Sequence, residues 1–300
     1  MTAAHVETGA APDAVLQQPG NGTASARCSL WWSATPLHRG RRTGFIGEVE
    51  SSDDCALVAL LARAEHRLRA AGCELAAGPV DGDTWHRYRL VTATDDTPPF
   101  ALEPYAPPAA AIPWGNAGFE PLETYASFRD DALGERDPRV PALTARLRAA
   151  GVTLRTLDLG RFDDDIAQIH ALALRGFADA PLFAPIGLDA FAALYRPLAP
   201  LLDPRLCPVA ECGGRIAGVL FALRDPRAPR VVVLKTIVRD ADRRFAGLGF
   251  VLTDIARAAA SELGATRAIS ALQHDGSIAR SLALQAIPFR RYAVFAKELS

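Results

Sequence analysis

The chain is poor in the residues that mark several functional classes. Aromatic residues make up only 7% of its 300 residues, with 13 phenylalanines, five tyrosines and four tryptophans. That is too few for a platform on which nucleobases stack one after another. There is no long basic run, and 33 Lys and Arg against 34 Asp and Glu leave a formal net charge of -1. A nucleic-acid partner needs a clustered basic face, so none is expected. No apolar run approaches the ~20 residues of a membrane span, so no membrane partner is expected either. The N-terminus has no charged segment followed by an apolar one. No secretory signal is read there, and a cytoplasmic location is expected.

Cysteine is scarce and widely spaced. Cys28, Cys55, Cys73, Cys207 and Cys212 form no CxxC pair. That argues against a zinc knuckle or a thioredoxin-type redox site. Free thiols in a reducing compartment are the simpler reading, and no metal site is expected.

What is present is the composition of a globular protein: 49% hydrophobic and 22% charged. Residues 1–26 are rich in Ala, Gly, Thr, Pro and Gln without an apolar period. Such a segment buries too little surface to offset its ordering entropy and reads as a disordered tail. Order is expected from the strand-like stretch at 28–32, then a strand at 44–49. A helix follows, with N-cap candidates at 51–54, apolar Leu57, Leu60, Leu61, Ala64 and Leu68 at helical spacing, and Gly72 as its cap. A short strand at 73–77 leads to a turn at 78–83. The Pro-rich stretch 97–114 reads as loop. The charged segment 130–137, followed by Pro138 and Pro141, marks a domain boundary, giving units 27–137 and 138–300.

The second unit has clearer grammar. Strands are expected at 152–157, 207–211, 216–223, 231–238, 266–272 and 289–297, with helices at 142–150, 163–177, 188–195, 247–263 and 277–285. Strands alternating with helices, plus a hairpin, predict an α/β (α+β) fold with a mixed sheet. Both units run from a helix through a Gly cap and a short strand to an Asp-Gly turn, at Gly72 to Gly82 and again at Gly264 to Gly276. The echo suggests two related units. Trp31, Trp32, Trp85 and Trp114 all fall in the first, and are expected in its core or against the other unit.

One segment carries chemistry. Arg243-Arg244-Phe245-Ala246-Gly247-Leu248-Gly249-Phe250 joins the β-branched strand ending at Ile237 and Val238 to an amphipathic helix with Leu248, Val251, Leu252, Ile255, Ala256 and Ala259 on one face. The glycines let backbone N–H groups approach a ligand. A helix N-terminus offers free donors and partial positive charge, which suits a diphosphate. The arginines can add charge-assisted bonds. Neither a Walker loop nor the dinucleotide spacing Gly-x-Gly-x-x-Gly is present. The first unit has acidic residues at the matching place, Glu50 to Asp54, where a pyrophosphate would be repelled.

Arg-x-x-Gly-x-Gly after a hydrophobic strand resembles the acyl-CoA motif of the GNAT superfamily of N-acetyltransferases. The resemblance extends in element order over 152–300, and the hairpin around Gly213-Gly214 looks like that family's second and third strands. It implies a mixed, mainly antiparallel central sheet flanked by helices, here in two related units. The first unit looks like a degenerate copy. The implied donor is acetyl-CoA, its pantetheine along Thr236, Ile237 and Val238 and its pyrophosphate on residues 243–250. The implied acceptor is a small-molecule amine or a protein lysine, attacked directly, by a monomer or homodimer. A non-catalytic acyl-CoA sensor is the alternative.

Such a reaction needs a base for the amine. Glu211 is the first candidate and His274 the second; a solvated turn glutamate and a turn-stabilising histidine are the competing readings. The helix expected at 277–285 lacks the tyrosine that such proteins use as acid. Ser277 or Ser281 there is a candidate cofactor contact or a plain capping serine. Tyr195 and Tyr292 are candidates for acid or substrate wall. Phe177, Phe183 and Phe191 are candidates for an acceptor pocket or simply core.

Overall fold

A computed structural model describes residues 11–19, 25–277 and 286–300. The first half of the chain forms β1 (Ala14–Pro19), β2 (Ser25–Trp31), β3 (Leu37–His38), β4 (Arg41–Ser51), α1 (Asp54–Ala70), β5 (Leu75–Gly78), β6 (Leu90–Thr94), α2 (Ile112–Asn116) and β7 (Glu120–Asp130). The second half forms α3 (Val140–Ala149), β8 (Val152–Thr156), α4 (Phe162–Gly176), α5 (Leu188–Tyr195), β9 (Pro208–Cys212), β10 (Arg215–Asp225), β11 (Ala228–Arg239), α6 (Leu248–Glu262), β12 (Arg267–His274) and β13 (Ile287–Glu298).

The helices form where capping and periodicity agree. Asp53 caps α1 by accepting from the Cys55 N–H. Leu57, Leu60, Leu61, Ala64 and Leu68 bury one face of that helix. Val251, Leu252, Ala256 and Ala260 do the same for α6. The expected strands and helices of the second half appear at these places, except the helix at 277–285, of which all but Ser277 lies outside the described residues.

Two differences from the expected organisation have physical causes. Residues 14–19, assigned to a disordered tail, form β1, antiparallel to β2 with Ala14 opposite Leu30 and Pro19 opposite Ser25. The open edge of β2 supplies hydrogen-bond partners that composition does not register. The chain also does not divide into separate sheets at residue 137. All strands among the described residues join one sheet, in the order β1-β2-β4-β5-β13-β7-β12-β11-β10-β9-β8, with β3 on β4 and β6 on β13.

That order has an approximate twofold pattern. In the first half β2 pairs antiparallel with β4, α1 crosses over, and β5 returns parallel to β4. In the second, β10 pairs antiparallel with β11, α6 crosses over, and β12 returns parallel to β11. The far neighbour of β5 is β13, from the end of the chain, while the far neighbour of β12 is β7, from the first half. Each half thus borrows the other's last strand, and β7 and β13 pair at the centre. Buried charge fixes the segment between the halves. Arg257 of α6 pairs with Asp130 at 2.8 Å and donates to the carbonyls of Ala132 and Glu135.

Candidate functional site

The parallel ladder between β11 and β12 stops at Leu234 opposite Ser270. Beyond it β11 continues to Arg239 on β10, and β12 continues to His274 on β7. The strands diverge, so the β12-facing edge of β11 from Lys235 onward has no ladder partner. A bulge at Lys235 coincides with the divergence, since Leu234 lies opposite Ala222 and Thr236 opposite Phe221. Bulges re-aim side chains and terminate pairing. Here Thr236 and Val238 line a pocket on the α4 face, while Leu234 and Ile237 pack toward α6.

The loop after β11 is built by local carboxylate caps. Asp240 accepts from the Asp242 N–H at 3.0 Å, and Asp242 accepts from the Arg244 N–H at 2.9 Å. Gly247 then takes the left-handed conformation, φ +79°, and serves as N-cap of α6 without a side-chain bond. A Cβ there would stand 2.7 Å from Leu143 Cδ2. The N–H groups of Gly247, Leu248 and Gly249 have no acceptor among the described residues. These donors at the start of α6 form an anion cradle. Arg243 and Arg244 are exposed beside it, with Arg244 Nε 3.3 Å from Asp242. Phe245 is buried as an anchor and Ala246 half-buried. Phe250 lies under the Arg139 guanidinium at 4.1 Å.

Sequence reasoning missed a second source of charge. Arg146 of α3 donates to the Ala246 carbonyl. Arg139, Leu143 and Arg146 recur at helical spacing, so α3 turns one stripe toward the loop.

The matching place in the first half is closed. The Val80 N–H bonds the Ile46 carbonyl at 2.9 Å, and the Glu48 N–H bonds Asp81 Oδ1 at 2.6 Å. Gly47 is required there, because a Cβ would lie 2.1 Å from the Val80 carbonyl oxygen. The start of α1 is occupied by its own Asp53 carboxylate.

The pocket beneath the diverging strands is a narrow apolar cleft with a cavity volume of about 40 Å³. Its roof is Phe162, Ile166, Ile169 and Ala173 of α4, with Phe177 and Phe191. Its floor is Val219, Phe221, Thr236 and Val238 of the sheet. Trp85 closes one wall from the first half. Its ring meets Phe177, Phe183 and Phe191 edge-on at 6.2, 5.7 and 5.4 Å, and its Nε1–H bonds the Ala184 carbonyl at 2.8 Å. The Tyr195 hydroxyl bonds the Thr236 side chain, and burial pushes its pKa up to about 12. Of the phenylalanine candidates, Phe177 and Phe191 line the pocket and Phe183 supports Trp85.

The two base candidates fall in different surroundings. Glu211 on β9 accepts from Arg155 Nε at 2.8 Å, and Arg155 also holds Asp165 of α4 at 2.7 and 2.9 Å. Its carboxylate is spent in that network and does not line the pocket. His274 ends β12, where its Nε2 contacts Glu123 Oε2 at 2.8 Å and its Nδ1 receives only a 3.2 Å bond from the Gly276 N–H. Its ring stands edge-on to Tyr125 at 5.1 Å. Ser277 bonds the His274 carbonyl through its N–H at 2.9 Å, a turn role, and Ser281 lies outside the described residues. Tyr292 is buried against Ser127 and Glu103. Lys235 extends to the Leu102 carbonyl at 3.0 Å, and burial lowers its pKa to about 7.

No family model matches the sequence. It is 28% identical over 185 residues to the bacterial ceramide synthase of Caulobacter vibrioides, covering 61% of this chain. The chain spans about half of that protein, 48% of its length. A GCN5-related N-acetyltransferase from Sphaerobacter thermophilus superposes with a TM-score of 0.51, over 91% of this chain and 76% of the other, at 13% identity. A tandem GNAT protein from the clavulanic acid biosynthesis pathway superposes with a TM-score of 0.53, over 97% of this chain and 85% of the other, at 16% identity. The fold is therefore that of the GCN5-related N-acetyltransferases, in its tandem form.

Proposed function

We propose that this chain is an N-acyltransferase that moves a fatty acyl group from acyl-CoA to an amine by direct attack. The observation that carries the reading is the apolar pocket at the bulge of β11, together with the open anion cradle at the start of α6. The acyl donor's pyrophosphate would rest on the N–H groups of Gly247, Leu248 and Gly249 and on Arg243 and Arg244. Its pantetheine arm would run along the free edge of β11, at Ile237 and Val238. Acetyl-CoA, the donor that the motif alone implies, would use only the mouth of the pocket. Walls made almost entirely of apolar side chains suit a hydrocarbon chain. The likeness to a ceramide synthase supports the same choice.

In the reaction the amine nitrogen bonds the thioester carbon, the C–S bond breaks, and the thiolate leaves with its electron pair. The amine proton passes to a base, for which His274 is preferred because Glu211 is paired with Arg155, although neither lines the pocket. Glu123 holds the Nε2 side and leaves Nδ1 with a single long bond. Tyr195, still protonated well above neutral pH, walls the thioester end of the pocket.

The test is thiol release from dodecanoyl-CoA and from acetyl-CoA over a panel of amines, with calorimetry of both donors. Faster release from the longer donor supports the reading. Tight donor binding with no release over any amine would favour an acyl-CoA sensor. Absence of donor binding would overturn both.

A further inference from the structure

Arg89 follows the turn that closes the first half's cleft. It takes a left-handed backbone, φ +72°, and reaches Leu272 on β12, itself at φ +55°. Strained non-glycine residues persist only where the surroundings hold them, and they concentrate at ligand sites. The guanidinium lies 3.6 and 3.9 Å from the ring centroids of Tyr88 and Tyr125, two rings that stand edge-on to each other at 84°. Nη1 donates to the Leu272 carbonyl at 3.2 Å. Nε is buried and has no partner. Nη2 makes no hydrogen bond among the described residues, and Arg89 forms no ion pair with a described carboxylate. The nearby carboxylates serve other groups: Glu103 pairs with Arg290 at 2.6 Å, and Glu123 holds His274.

A buried cation without a counter-ion is costly, and an anion offsets that cost. The two ring contacts and the bond to the Leu272 carbonyl hold the guanidinium, and its Nε and Nη2 edge is a fork that matches a two-oxygen acid group. Leu272 lies just past the last β11–β12 pair, and Lys235 on β11 is close enough for the Arg89 charge to help lower its pKa. Arg89 thus bonds β12 just past the point where β11 and β12 part.

We propose that Arg89 is an oxyacid clamp, and that the acceptor amine carries a carboxylate or phosphate group which the clamp holds. The identity of the ligand as the acceptor rests on the acyltransferase reading; the clamp itself does not.

Three product-like probes test it by calorimetry on the full chain: N-dodecanoyl-L-serine, N-dodecanoyl-O-phosphoethanolamine and N-dodecanoylethanolamine. The share the same apolar tail and differ in the acid group. At least one acidic probe is expected to bind about tenfold or more tightly than the neutral one, the scale of hydrogen bonds to a charged group. Preference for the serine or the phosphate probe assigns the source. The preference should vanish in Arg89→Gln and shrink in Arg89→Lys, which keeps the charge but loses the fork. Equal affinities in the native protein, or a preference that survives in either variant undiminished, overturn the proposal. If Arg89→Gln does not fold, the native comparison and Arg89→Lys still decide. A clamp signature with no thiol release from dodecanoyl-CoA and L-serine would leave the clamp standing and remove the acyltransferase reading.

Discussion

Filling the pocket from its roof is the sharpest test of where an acyl chain would lie. Ala173 is 2% exposed and lines the pocket from α4, next to Phe191. Leucine at this place would project an isobutyl group into free space that the tail of a long acyl chain would otherwise fill. Each methylene kept out forfeits about 0.8 kcal/mol of burial. Two or three displaced methylenes cost roughly 2 kcal/mol, or about 30-fold in affinity. Ala173→Leu should therefore weaken dodecanoyl-CoA by about that factor and leave acetyl-CoA unchanged, because the unpaired N–H groups at the start of α6 stand away from the α4 face that carries Ala173. The added group enters a void, so overpacking should cost less than the roughly 1–3 kcal/mol seen in filled cores. Calorimetry with both donors, beside a thermal melt, measures the two effects. Equal losses for the two donors, or none for the longer, would refute this placement of the chain.

Other consequences are independent of the pocket. Glu211→Gln should keep turnover within about threefold, since its carboxylate serves Arg155, whereas loss of a true general base costs ~100-fold or more; steady-state rates decide. Glu103→Ala should destabilise the protein by roughly 3–5 kcal/mol in urea unfolding, because it strands the Arg290 charge, whose side chain is 1% exposed. Burial lowers the Lys235 pKa to about 7 from its ordinary 10.5. The unfolded chain thus binds the extra proton between those values, and stability should rise with pH across that window. Urea midpoints from pH 6.5 to 9.5, chosen as roughly that window, should show this rise, and Lys235→Met should flatten it.

Most of the short-range structure was legible in the sequence. The β11–loop–α6 unit is encoded by residues that neighbour one another: a β-branched strand, two glycines and an apolar stripe. Its caps and its left-handed Gly247 follow from local chemistry. The first half's lack of a cradle was legible too, since acidic residues stand where a pyrophosphate would bind. The choice of Glu211 as first base failed to anticipate its partner. Arg155 lies on a neighbouring strand, and a period-2 pattern does not say which strand that will be. Trp85 was expected at the core or the face between the halves, and it sits at that face, yet nothing in its spacing said that it would wall the second half's pocket.

The sequence by itself therefore determined the elements, the glycine loop before α6 and the kinship of the two halves, because those depend on residues within a turn or a strand of each other. The tertiary structure alone decided the exchange of β7 and β13, the pocket beneath the bulge, and the arrival of Trp85 and Arg89 from the first half. Each of these joins residues far apart in the chain, through pairing and burial that no local pattern specifies.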